Sequence, residues 1–144
     1  MKRLAAALLL LSAPVAAHAA DNFTFTNTTK FIDGVRVPLQ GADFRGARVF
    51  SFSTDVLYAN GQKETVSGKC SGWKNPPGAQ FDQSGVCTSP GAYTMQYSCQ
   101  PEAGKNEGNC WGYLVGEGRF KGRTGLVTYR SSASGNAGVG RWND

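Results

Sequence analysis

In RVFSFSTDVLY, residues 48–58, Phe50, Phe52, Val56 and Tyr58 fall on one face of an extended chain, and Ser51, Ser53, Asp55 and Leu57 on the other. A period of two marks a strand with one buried face. Asn60-Gly61 follows at once. Both central residues of a type I′ turn take positive φ, which Asn and Gly tolerate, so the pair predicts a tight hairpin with Glu64–Gly72 as its return strand. Upstream, Phe23 and Phe25 alternate with Thr24 and Thr26, and further strands are expected over 80–87, 92–99, 110–120, 125–130 and 138–142. No window repeats apolar residues at helical spacing between capping signals. The pattern predicts an all-β domain of about eight short antiparallel strands, closed into a small barrel or, alternatively, stacked as a β-sandwich. Closure removes the unpaired edges on which other chains add.

Ahead of this domain, Lys2 and Arg3 precede the apolar run Leu4–Leu11, and Ala17-His18-Ala19 offers small residues at the two positions a signal peptidase reads. The run is far short of the roughly 20 residues that cross a hydrocarbon core. Residues 1–19 therefore read as a signal peptide, cleaved near Ala19, and 20–144 as one exported domain, periplasmic or secreted. No cysteine directly follows the cleavage site, so a lipoprotein anchor is not expected, and no later segment suits a transmembrane span. Cleavage also takes away His18, the only histidine. Ser-His-Asp triads, Cys-His pairs and histidine-containing zinc or iron sites leave with it. No cofactor and no metal is expected.

Four cysteines remain, Cys70, Cys87, Cys99 and Cys110. In an oxidising compartment an even count in a small domain reads as two disulfides, with three possible connectivities. The sequence-local pairing Cys70–Cys87 and Cys99–Cys110 is favoured, because each pair flanks a turn-rich loop. A zinc site built from all four is the alternative, although the usual CxxC spacings are missing.

The stretch GEGRFKGRTG, residues 116–125, poses a choice between a phosphate loop and a hairpin. Gly116, Gly118 and Gly122 follow G-x-G-x-x-x-G, one residue longer than the dinucleotide fingerprint, and Lys121 is followed by Gly122 rather than Ser or Thr. LVTYR comes next, a strand and not the helix N-terminus a phosphate needs. The reading is a hairpin, with a strand from Trp111 to Phe120, a turn near 122–125 and a return through Leu126–Arg130. In the first strand Gly112, Gly116 and Gly118 share a face with Leu114 and Phe120, while Trp111, Tyr113 and Val115 point the other way. Glycines there mark either strong curvature or a floor cleared for a ligand.

The same stretch, CWGYLVGEGRFKGRTGLVTYR (110–130), resembles the closing hairpin of the allene oxide cyclase-like and dirigent-like barrels. The resemblance implies an eight-stranded antiparallel barrel around an apolar cavity, and cyclase chemistry only by analogy of fold. The families' cavity carboxylates and arginines map onto no position here, so no catalytic residue is implied. The segment KCSGWKNPPGAQFDQSGVC has no counterpart in them.

Charge narrows the partners. The sequence carries 15 basic and 10 acidic side chains, a net +5 that becomes +3 without Lys2 and Arg3. That is thin for the many phosphate contacts nucleic acid demands, and no nucleic-acid partner is expected. Glu117, Arg119 and Lys121 would share a strand face and, with Arg123, form a basic surface that reads as an ordinary solvated face or, alternatively, as one suited to an anionic envelope glycan. Candidate ligand contacts are the aromatics Trp73, in the loop GWKNPPG, Tyr93 and Tyr97 on one strand face, Trp111, and Glu117. Trp142 is expected to be exposed near the C-terminus and able to support a weak interface. The leading function is a non-enzymatic barrel binding a small apolar or amphipathic molecule or an envelope component. The alternatives are a cyclase or isomerase using an interior carboxylate such as Asp55 or Glu117, and a structural envelope-interaction protein with a filled barrel. If Phe50 and Phe52 point inward, Asp55 points out and loses its candidacy.

Overall fold

The computed structural model describes residues 22–36 and 46–143; the signal peptide expected over 1–19 lies outside them. The strands are β1 (Asn22–Gly34), β2 (Arg48–Tyr58), β3 (Lys63–Lys74), β4 (Gln83–Ser89), β5 (Tyr93–Pro101), β6 (Gly108–Gly116), β7 (Thr124–Ser132) and β8 (Gly135–Asn143). Each runs antiparallel to the next and β8 pairs with β1, so the sheet closes as a barrel and not as a sandwich. Among the described residues no helix is long and apolar enough to cross a membrane.

The sequence signals place the strands well and the turns less well. Asn60-Gly61 does make the β2–β3 hairpin, but not as a type I′ turn. Gly61 has φ 85°, while no non-glycine among the described residues has positive φ. Gly61 N–H donates to the Tyr58 carbonyl and Tyr58 N–H to the Gln62 carbonyl, both at 2.9 Å. Ala59 and Asn60 are thus the centre of a type I turn, and Gly61 supplies the left-handed bulge residue of a three-residue loop. The Asn60 side chain instead accepts the Gln62 N–H at 2.9 Å.

The strand expected over 110–120 ends earlier. β6 stops at Gly116, and Gly118–Phe120 is one turn of 3-10 helix. Lys121 (φ −53°, ψ 129°) and Gly122 (φ 86°) then form a type II turn, closed by Arg123 N–H to the Phe120 carbonyl at 2.9 Å. Gly122 follows Lys121 because that turn needs positive φ at its third position. The shared strand face for Glu117, Arg119 and Lys121 is lost with the early end of β6.

Inside the barrel, aromatic side chains lie over the glycines directly opposite them. Phe23 pairs with Gly140, Phe52 with Gly68, Tyr97 with Gly85 and Tyr129 with Gly138. A Cβ on any of the four glycines would come within 2.8 Å of the facing aromatic side chain. Glycine in a strand exposes backbone, and a ring from the neighbouring strand covers it. Gly112 has a related role: its missing Cβ makes room for Met95 Sδ, which would otherwise lie 2.7 Å away, and for Val127. The glycine face of β6 is therefore covered by side chains rather than cleared as a floor.

The densest packing gathers at one end, around Phe23, Val56, Tyr58, Leu114, Phe120, Val127 and Trp142. Trp142 is 2 % exposed and stacks on Phe120 with ring centroids 4.5 Å apart. This corrects the expectation of an exposed Trp142: its place on β8 points it inward, where it fills the barrel end and offers no interface.

Candidate binding site

A cavity of about 350 Å³ occupies the barrel interior. The inward faces of the strands create it. On β2 the alternation that begins at Arg48 carries Phe50, Phe52, Thr54, Val56 and Tyr58 to the lining, and on β3 it carries Glu64, Val66, Cys70 and Gly72. Asp55 consequently points to solvent, where it accepts a hydrogen bond from Thr65 Oγ1 at 2.6 Å.

One end of the cavity is plugged. Tyr58, Phe120 and Trp142 stack across it, with Tyr58 and Phe120 centroids 6.4 Å apart. Arg119 folds back over this stack, its guanidinium carbon 4.5 Å from the Phe120 ring centre and 5.6 Å from that of Tyr58. It donates to Tyr58 Oη at 3.2 Å and pairs with Glu64, which also accepts the Tyr58 hydroxyl. Burial, then the hydrogen bond to Glu64, pushes the Tyr58 phenol well up. Arg123 approaches the same Phe120 ring at 6.0 Å, and Lys121 is exposed in the turn. The basic residues of this hairpin thus divide between the plug and solvent and form no stripe.

Among the described residues the other end is open. The lining runs out to Phe31, 63 % exposed, and Trp73, 43 % exposed, beside Arg48, Lys74 and Asp82. Both disulfides belong to this half, Cys70–Cys87 and Cys99–Cys110, each joining residues directly opposite one another on adjacent strands. The pairing is the sequence-local one. All four cysteines are buried, and Cys70, Cys87 and Cys99 line the cavity.

Three tyrosines bring polarity to the apolar wall. Burial pushes the Tyr93 and Tyr97 phenols up to about 12, and that of Tyr129 further in the same direction. All three are neutral near pH 7 and act as hydroxyl donors. Tyr97 lies across Gly72 and Gly85: a Cβ on these would sit 2.3 and 2.5 Å from its hydroxyl. Two glycines thereby aim the Tyr97 hydroxyl toward the mouth. The Tyr129 hydroxyl rests 3.8 Å from Cys99 Sγ.

Of the residues singled out in the sequence, Trp73, Tyr93 and Tyr97 are brought together on the cavity, Trp73 at its rim. Trp111 and Glu117 are not. Trp111 faces outward and packs edge-on against Phe81 of the β3–β4 loop, with centroids 4.2 Å apart. Glu117 ties two hairpins together, accepting from Thr94 Oγ1 at 3.0 Å and from Gly91 N–H at 3.3 Å. Arg48 and Glu64 were missed, although the alternation already placed Arg48 on the face of Phe50 and Phe52. No protein family, characterised protein or solved structure matches this chain.

The site has therefore to be read from its own chemistry. Its wall offers aromatic rings, a thioether, disulfide sulfurs and neutral phenols. Its interior carboxylate, Glu64, is held by Arg119 and Tyr58. Among the described residues no cluster of three or more His, Cys, Asp or Glu side chains could hold a metal. This inventory suits retention of a molecule.

Proposed function

We propose that this chain is an exported binding protein that holds one small apolar or amphipathic molecule inside its barrel. The observation that carries the reading is the one-ended cavity of about 350 Å³, within the roughly 300–1,000 Å³ range of small-molecule sites. Mostly apolar walls with a few placed hydroxyls are what such sites use to bind and orient a ligand. The enzymatic alternative needs an interior carboxylate able to exchange a proton. Asp55 points outward, Glu117 braces a hairpin, and Glu64 is committed to an ion pair. The filled-barrel alternative is opposed by the cavity itself. The two disulfides suit an oxidising compartment, and together with the leader-like residues 1–19 they support export. A likeness to the allene oxide cyclase-like and dirigent-like barrels rests on residues 110–130; an eight-stranded closed barrel with an apolar interior is in keeping with it. We extend that likeness to fold and cavity, not to chemistry.

Native mass spectrometry of the protein purified from its export compartment tests the reading. Extra mass that vanishes on denaturation is the expected result. A bare native mass together with no saturable binding of the neutral probe N-phenyl-1-naphthylamine would refute it.

A further inference from the structure

We infer that the ligand is a small amphipathic acid, its oxyanion held at the barrel mouth by Arg48 and the Tyr97 hydroxyl, its apolar body against Phe50, Phe52 and Met95. The inference rests on the binding-protein reading and names the ligand class for the same cavity.

The charges around the cavity carry the argument. Among the described residues four charged side chains line it: Arg48, Glu64, Lys74 and Asp82. Glu64 sits at the plugged end and is paired with Arg119. Lys74 and Asp82 pair with each other at 3.7 Å on the rim. Among the described residues no carboxylate pairs with Arg48, so within them its positive charge is uncompensated.

Arg48 is also well placed. It lies on the inward face of β2, opposite Gly72 in register, and Gly72 is the residue over which the Tyr97 hydroxyl lies. The Arg48 charge reaches that phenol, offsetting part of the effect of its burial. A guanidinium fork and a neutral hydroxyl that share Gly72 as a neighbour are both donors, the complement of a carboxylate or sulfonate. Arg48 is exposed at the rim, so an uncharged ligand gains nothing from its charge, whereas an anion gains a charge-assisted hydrogen bond. Just inside lie Phe50, Phe52, Met95 and the Cys70–Cys87 disulfide, an apolar wall suited to a ring. The plugged end limits length, so a body of one or two rings fits better than an extended chain.

The test compares 2-naphthoate with 2-naphthamide, nearly equal in size and differing in charge, by calorimetry on the mature disulfide-bonded protein. A charge-assisted pair at Arg48 should make the acid about tenfold tighter or more, with the advantage shrinking as salt is raised. Arg48→Gln should bring the acid down to the amide, and Arg48→Lys should keep part of the preference. Equal affinities in the unsubstituted protein would overturn the acid inference and leave the binding reading standing. A preference that survives Arg48→Gln would overturn the role of Arg48. Binding of neither compound would count against this inference; combined with a bare native mass and no binding of the neutral probe, it would overturn both. The acid–amide comparison needs no variant, so a variant that failed to fold would not rescue the idea.

Discussion

In alkaline solution the interior tyrosines become a measure of how dry the barrel is. A phenol in an unfolded chain loses its proton near pH 10. In the folded barrel burial holds Tyr93 and Tyr97 up to about 12, with Arg48 pulling Tyr97 partly back, and shifts Tyr58 and Tyr129 in the same direction. The sign follows from proton linkage. Between pH 10 and 12 the unfolded chain has shed protons that the native chain keeps, so the stabilising contribution is complete below about pH 10 and is lost as pH rises toward 12. At 1.36 kcal/mol per unit, a gap of two units is worth about 3 kcal/mol for each of Tyr93 and Tyr97. Together they approach the total stability of a small domain, about 5–15 kcal/mol. The assay follows phenolate absorbance and far-ultraviolet circular dichroism through one alkaline titration. The expected result is that most phenolate appears in a single step that coincides with loss of the strand signal, above about pH 11. Tyr97→Phe should move that step to higher pH, because one proton no longer has to leave. Ionisation of the interior phenols near pH 10 with the strand signal intact would refute the reasoning, since it would mean that water already fills the cavity.

Three further outcomes can be checked by denaturant unfolding and probe binding. Replacing Cys70 and Cys87 together by alanine should cost about 3 kcal/mol from the chain-entropy term for their separation of 17 residues; a loss well under 1 kcal/mol would contradict the role given to that bridge. Gly85→Ala places a methyl group 2.5 Å from both the Ser71 carbonyl oxygen and the Tyr97 ring. It should destabilise by about 1–3 kcal/mol and weaken probe binding by displacing Tyr97. Asp55→Asn alters only an outward contact with Thr65, at a cost of about 1 kcal/mol or less, and should leave probe binding unchanged; lost binding would revive an interior-carboxylate mechanism.

The strands were legible because a period of two survives any closure of the sheet. The face bearing Phe50, Phe52, Val56 and Tyr58 is the buried face, and the same rule sent Asp55 outward. Turns were less legible, because a local dipeptide does not fix loop length. Asn60-Gly61 joins a three-residue bulged loop once Ala59 is drawn into it. At the 116–125 hairpin the alternation gave no sign that the chain leaves the sheet at Gly116, so Arg119 was assigned to a strand face instead of the barrel plug. The site was half legible. Tyr93 and Tyr97 follow from alternation and aromatic chemistry, but Trp111 was drawn in merely because it stands beside Cys110. Arg48 and Glu64 were not singled out. Their importance comes from long-range neighbours: Gly72 and Tyr97 for Arg48, and Arg119, 55 residues away, for Glu64.

The interior glycines answer the choice posed by the sequence in a third way. They mark neither curvature alone nor an empty floor, but positions where a neighbouring side chain takes the place of a Cβ: Met95 and Val127 at Gly112, and the rings of Phe52, Tyr97 and Phe23 at Gly68, Gly85 and Gly140. That arrangement lets four aromatic side chains pack along the wall and leaves the middle of the barrel to a ligand. It also divides the sources of stability. At the plugged end, Phe23, Tyr58, Leu114, Phe120 and Trp142 pack against one another. Toward the mouth the buried cluster is smaller, Phe52 with Cys70 and Cys87, and the strands are joined there by the two disulfides, β3 to β4 and β5 to β6. Each bridge contributes on the order of 3 kcal/mol, comparable with burying a large apolar side chain. The covalent bonds thus stand where the buried cluster is smaller. Reduction should accordingly loosen the mouth before the plug, with amide exchange rising first around Cys87 and Cys99 and last around Leu114 and Trp142. Uniform loosening of the whole barrel would show that its two ends do not divide the work in this way.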